Sequence, residues 1–116
     1  MSKVAYDYIE KYIRELIPEN KGALKELEDY AKENSVPIIH KEVANFLEFM
    51  ISLKKPKKIL ELGTAIGYSS IFMSLSSKEE CEITTIERDD KMIEIAKNNI
   101  ERYGFKDKIK IIQGIV

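Results

Sequence analysis

Apolar residues recur at helical spacing through the first half of the chain, then condense into short dense runs from Lys57 onward. Val4, Tyr8, Ile9, Tyr12, Ile13, Leu16 and Ile17 share one helix face, and Pro18 stops that run. Asn20 stands where it would cap a second helix, whose inward face is Leu24, Leu27, Tyr30 and Ala31. The stretch Asn34-Ser35-Val36-Pro37 breaks the pattern, because a proline pushes the residue before it out of helical geometry. A third helix follows, with Val43, Phe46, Leu47, Met50 and Ile51 on one side, and Lys54-Lys55-Pro56 ends it.

Beyond Lys57 the period changes. Ile59-Leu60-Glu61-Leu62 runs straight into Gly63, as a buried parallel strand would. Ser69 to Ser76 reads as a helix with Ile71, Phe72 and Leu75 inward. Glu82 to Glu87 is a second strand, rich in β-branched residues. Asp89 or Asp90 caps the next helix, whose face is Met92, Ile93, Ile95, Ala96 and Ile100, and Gly104 stands where a terminating glycine belongs. Ile109 to Gln113 makes a third strand. The order β-α-β-α-β predicts an α/β protein with a parallel sheet and right-handed crossovers. The three N-terminal helices would form a flanking layer or an oligomer surface.

Composition narrows the class. A length of 116 residues allows one domain with a modest core. The 44% hydrophobic and 34% charged content is that of a globular protein, neither disordered nor fibrous. With a net charge of −1 and Lys and Arg spread along the chain, no basic tail announces nucleic acid, although a local basic patch can hold RNA. Cys81 is the only cysteine, which excludes an internal disulfide and argues against a cysteine-based metal site; it is expected to be structural. No apolar run approaches the roughly 20 residues of a membrane span. Lys3, Asp7, Glu10 and Lys11 interrupt any signal-peptide pattern, so the expected location is the cytoplasm. His40 reads as a surface or capping histidine, and Tyr6, Tyr8 and Tyr12 as core or interface residues rather than base-stacking ones.

Ligands of open α/β sheets bind outside the carboxyl ends of the strands, which here are Glu61-Leu62-Gly63 and Glu87. Gly63 and Gly67 bracket a tight strand-to-helix turn, and the following helix aims free N–H groups at it, a seat for an anionic group. By themselves the two glycines also fit a plain tight turn. Their spacing is not the three-glycine dinucleotide pattern, and no Lys-Ser or Lys-Thr pair makes a phosphate loop. Glu61 would repel a pyrophosphate and attract an ammonium, so a ligand carrying both ammonium and carboxylate fits better than a dinucleotide. That disfavours an NAD-dependent oxidoreductase. Glu87 can accept hydrogen bonds from both hydroxyls of a ribose.

The segment Glu61-Leu62-Gly63-Thr64-Ala65-Ile66-Gly67-Tyr68-Ser69 closely resembles motif I of the cation-dependent class I O-methyltransferases, which include catechol and caffeoyl-CoA methyltransferases. Thr85-Ile86-Glu87-Arg88-Asp89 resembles their second motif. Tyr8-Ile9-Glu10, Leu16-Ile17-Pro18, Tyr30-Ala31-Lys32-Glu33 and Val36-Pro37-Ile38 are similar to the bacterial branch that methylates 5-hydroxyuridine in tRNA. The resemblance implies a Rossmann-like methyltransferase fold and S-adenosyl-L-methionine as cofactor. It implies that Glu61 binds the methionine ammonium and that Gly63 and Gly67 shape the turn. Ser69 with the backbone near Tyr68 would hold the carboxylate. Glu87 would take the ribose, Arg88 would flank the adenine and Gly114 would help enclose it, while Ile38 packs near the methyl donor.

The sequence departs from the family after Gly114, where Ile115 and Val116 follow in place of the usual polar and small residues. The expectation is a truncated fold: residues 1–55 as an N-terminal helical segment and 56–116 as the first half of the methyltransferase domain. The family's aspartate and asparagine ligands for Mg²⁺, which lowers the acceptor hydroxyl's pKa and orients it, have no counterparts here, and no catalytic residue is assigned. Expected acceptors are tRNA 5-hydroxyuridine or a small catechol-like hydroxyl, with a non-catalytic cofactor-binding or association fragment as the other class. In the family's sheet order a further strand lies beside strand one. Without it the Ile59–Leu62 run is an open edge, expected to be covered by homodimerisation, or else the chain is a fragment of a longer enzyme.

Overall fold

The computed structural model describes residues 5–78 and 80–115, so Val4 and Val116 lie outside the described residues. Helices α1 (Asp7–Leu16), α2 (Ala23–Glu33) and α3 (Lys41–Lys54) precede the alternation β1 (Lys58–Leu62), α4 (Tyr68–Ser76), β2 (Glu82–Glu87), α5 (Asp90–Arg102) and β3 (Ile109–Gln113). The strands are parallel in the order β1-β2-β3, the expected α/β half-sheet. Both crossovers step the same way, so right-handed connections put α4 and α5 on one face, where both touch β2 and β3. Helices α2 and α3 pack against α4 and extend that layer.

Register decides which side chains meet the helices. Ile59, Ile83 and Ile109 lie side by side across the sheet, as do Glu61, Thr85 and Ile111. Ile83 and Ile109 are buried with Ile66, Ile71 and Ile100 in the core. Leu60, Leu62 and Ile112 belong to the opposite face and are 65%, 61% and 41% exposed. Among the described residues β1 is an edge strand and that face carries no helix.

The local stops are legible. Asp89 caps α5, its Oδ1 accepting from the backbone N–H of Lys91 (2.9 Å) and Met92 (3.1 Å). At the other end Gly104 adopts φ 83°, letting its N–H reach the Glu101 carbonyl and the Phe105 N–H reach that of Ile100. Cys81 is buried just before β2, consistent with a structural role.

Several expected faces are corrected. Helix α2 starts at Ala23 with Gly22 at its N-cap, and Asn20 instead donates to Glu28 Oε2 (2.7 Å) and the Tyr68 hydroxyl (3.4 Å). Helix α3 buries Ala44 and Ile51 but leaves Val43 and Phe46 exposed, so only part of the expected stripe is covered. Helix α1 leaves Tyr8, Tyr12 and Leu16 exposed; Tyr6 is exposed too and stacks on Tyr8, so these tyrosines are not core. Helix α1 is tied to α3 by charge: Arg14 donates from Nε to both oxygens of Glu42 (3.0 and 3.1 Å) and from Nη2 to Glu10 (3.0 Å). Leu75 on α4 is exposed although Ile71 and Phe72 are buried. Periodicity reports which residues share a stripe; it does not report whether a partner covers it.

Candidate functional site

Strand β1 hands the chain to α4 through a turn built on left-handed backbone. Gly63, Ala65 and Gly67 have φ of 92°, 48° and 89°. A Cβ on Gly67 would meet only ordinary contacts with Ala96, nearest at 3.6 Å, so its glycine is required by the dihedral rather than by space. A Cβ on Gly63 would meet nothing within 4 Å, so the backbone there lies open to approach. The turn is pinned where the Gly63 N–H reaches the Ile86 carbonyl (2.8 Å) and the Gly67 N–H reaches that of Thr64 (3.0 Å). No side chain caps α4, and its first intrahelical bond runs from Ile71 N–H to Gly67. The N–H groups of Tyr68, Ser69 and Ser70 therefore form the positive end of the helix beside the turn, suited to a carboxylate.

Glu61 is the last inward-facing residue of β1. Its Oε1 accepts from Ser70 Oγ (2.5 Å) and Thr85 Oγ1 (2.7 Å), and Thr85 Oγ1 meets Thr64 Oγ1 at 2.7 Å. Burial pushes the Glu61 carboxyl above its usual range, while hydrogen bonds from Ser70, Thr85 and Ser69 work against that shift without cancelling it. Thr64, Ser70 and Thr85 are buried, and sequence reading assigned none of them to the site. For Thr85 the signal is register, since it is the cross-strand partner of Glu61.

Glu87 ends β2 and closes the turn from below. Oε1 accepts from the Ala65 N–H (2.9 Å), and Oε2 accepts from the N–H groups of Arg88 and Asp89 (3.1 Å each). Burial pushes this carboxyl up, but the three backbone donors outweigh it and hold it below the usual range. It is a fixed anion at the mouth of the site, with lone-pair capacity left for a ligand hydroxyl.

The remaining residues sort around this centre. Gly114 N–H donates to the Glu87 carbonyl (3.0 Å), and a Cβ on Gly114 would come within 3.4 Å of Ile86, so the chain passes β2 closely. The Arg88 side chain is exposed. Tyr68 turns its side chain away from the turn into the helical layer, donating to Glu28 Oε2 at 2.6 Å; burial and that carboxylate push its phenol strongly upward. Only its backbone faces the turn. Ile38 is half-buried and lines, with Tyr68, His40, Lys11 and Arg14, an open cleft of about 630 Å³ between the N-terminal helices and α4. His40 is the exposed N-cap residue of α3, with no side-chain cap bond.

Two carboxylates and the free N–H groups of a helix N-terminus thus stand at the strand ends, an arrangement able to take a ligand that carries cationic, anionic and hydroxyl groups. A divalent cation finds no comparable fit, since among the described residues no three His, Cys, Asp or Glu side chains come together. No helix of the described residues is long and apolar enough to cross a membrane.

The model of a family described as O-methyltransferase matches residues 14–115. A catechol O-methyltransferase of Niastella koreensis is 30% identical over 98% of this chain and 52% of its own length. Among solved structures, a protein of Staphylococcus aureus described as a caffeoyl-CoA O-methyltransferase superposes with a TM-score of 0.84 at 36% identity, over 94% of this chain and 52% of that one. An O-methyltransferase of Bacillus cereus in complex with SAH shares the fold, with a TM-score of 0.78 at 24% identity, over 93% of this chain and 50% of that one. The chain spans about half the length of the relatives it matches.

Proposed function

The chain belongs to the O-methyltransferase family, and on that premise we propose that it holds S-adenosylmethionine for methyl transfer to a hydroxyl oxygen. The observation that carries this reading is the meeting of Glu61, the uncapped N-terminus of α4 and Glu87 around one glycine turn. The donor, when bound, supplies an electrophilic methyl group on a sulfonium. Ionised Glu61 attracts its ammonium, the N–H groups of Tyr68 and Ser69 hold its carboxylate, and Glu87 accepts from its ribose. Arg88 and Gly114 flank the adenine, and Ile38 supplies an apolar wall near the methyl group. The open backbone at Gly63 lets the donor lie against the main chain. No step is assigned to a metal, because the described residues offer no ligand set for one.

For the acceptor, the N-terminal motifs favour the 5-hydroxyuridine of tRNA, while the catechol and caffeoyl-CoA relatives support a small catechol-like hydroxyl equally well. The bare apolar face and free edge of β1 favour a homodimer or association with the rest of a longer fold in the cytoplasm. Calorimetric titration with S-adenosylhomocysteine tests the donor site, with saturable binding expected. Tighter binding of NADH, or no binding of S-adenosylhomocysteine, would overturn it. Radiolabelled methyl transfer to catechol and to hydroxyuridine tRNA, with and without Mg²⁺, then separates the acceptors and separates catalysis from binding alone.

A further inference from the structure

Four polar groups from four different segments form one hydrogen-bonded chain at the base of the site, its three hydroxyl residues buried. Thr64 comes from the turn, Thr85 from β2, Glu61 from β1 and Ser70 from the first turn of α4. An ionised carboxylate can only accept, so Thr85 must give its single proton to Glu61. Its oxygen then accepts the proton of Thr64, across 2.7 Å. Ser70 donates to the same Oε1 from the other side, at 2.5 Å. All three hydroxyl protons are used when Glu61 is ionised and the chain runs toward it from both ends.

The two bonds fill the lone pairs of Oε1 and leave Oε2 as the oxygen with acceptor capacity. Gly63, where the backbone is open, is two residues further along the chain. We infer that Thr85 and Ser70 are positioning residues for the methyl donor, holding Glu61 as a fixed anion whose second oxygen receives the donor's ammonium group. The inference rests on the donor reading above. It is supported by the opposition already described, in which burial disfavours the charged carboxyl and these hydroxyls favour it. A purely structural role, in which the hydroxyls merely satisfy one another, predicts loss of stability and equal weakening of every ligand.

The variants Thr85→Val and Ser70→Ala, each in the full chain, separate the two. Binding of S-adenosylhomocysteine at pH 7.5 should weaken by roughly tenfold or more, the loss expected for a hydrogen bond to a charged group. Binding of its analogue lacking the amino group should change little, and Thr85→Ser should restore the wild-type difference between the two ligands. In the ligand-free protein, ¹³C-detected titration of Glu61 should move to higher pH in both variants. Equal weakening of the two ligands, or an unmoved Glu61 titration, would overturn the inference while leaving the donor reading intact. A wild-type protein that binds neither ligand would overturn the donor reading, and the inference with it. Should Thr85→Val not fold, Ser70→Ala carries the same criteria, because it removes the other bond to Oε1.

Discussion

Replacing Glu87 by glutamine removes a charge while keeping size and shape, and the structure says what should follow. The carboxylate holds three backbone donors, at Ala65, Arg88 and Asp89. An amide has one oxygen. Placed at the Oε2 position it keeps Arg88 and Asp89, but turns its own NH₂ toward the N–H of Ala65. A hydrogen bond to a charged group contributes about 1.5–3 kcal/mol; partial exposure lets water serve the Ala65 N–H, so about 1–2 kcal/mol is the expected loss. Ala65 is the non-glycine residue at φ 48° in the turn, a conformation costing about 1–2 kcal/mol, and this bond helps hold it there. With a urea dependence of about 1–3 kcal/mol per molar, the unfolding midpoint at pH 7 should fall by roughly 0.3–2 M. The pH dependence supplies a second check. The folded carboxyl titrates below its ordinary value of 4.5, so its stabilisation is present above 4.5 and is lost as pH falls through the folded value. The gap between wild type and Glu87→Gln should therefore close in acid, while Glu19 and Glu42, also held low by their basic partners, cancel in the difference. Equal midpoints at pH 7, or a gap that persists unchanged below pH 4, would refute the view that this carboxylate pins the turn.

Glu61→Gln should have the opposite effect on stability. Burial raises the Glu61 carboxyl, so the folded state prefers its neutral form and the charge is a cost that grows as pH rises through the raised value. The variant should unfold at the same or higher temperature at pH 7.5 while losing affinity for S-adenosylhomocysteine; a lower melting temperature with intact affinity would contradict this assignment. Asp89→Ala removes the α5 cap and should cost about 1 kcal/mol, seen as a lower thermal midpoint with the circular dichroism of the folded state retained. Leu60→Lys with Leu62→Lys charges the bare face, where the side chains are already 65% and 61% exposed. Folding stability should change by less than about 0.5 kcal/mol per site, whereas any self-association measured by light scattering should fall. A variant that unfolds instead would show that this face is covered.

Much of the frame was legible because each local signal had a local cause. Glu82–Glu87 and Ile109–Gln113 were read from density of β-branched and apolar residues, and Asp89 and Gly104 from the chemistry of helix ends. The turn from Glu61 to Ser69 was readable since left-handed backbone demands glycine at Gly63 and Gly67. The faces of α1 and α3 were not readable, since stripes such as Tyr8-Tyr12-Leu16 carry the same periodicity whether covered or bare. Asn20 looked like a cap because its type is right for one, but its side chain is engaged by a charged partner in α2, Glu28, and Gly22 takes the N-cap position.

By itself the sequence determined the order of elements, the parallel crossover pattern and the acidic groups at two strand ends. Dihedral preference, side-chain periodicity and capping all act over a few residues, so they are written in consecutive positions. Only the tertiary structure decided that Thr85 faces Glu61 across the register, that Ser70 reaches the same oxygen from α4, and that Glu87 accepts from the Ala65 N–H of the turn. The Thr85–Glu61 and Ala65–Glu87 contacts join segments 24 and 22 residues apart in the chain. Strand pairing and helix docking, which no short window of sequence encodes, bring them within hydrogen-bond reach and set the protonation of the two carboxylates.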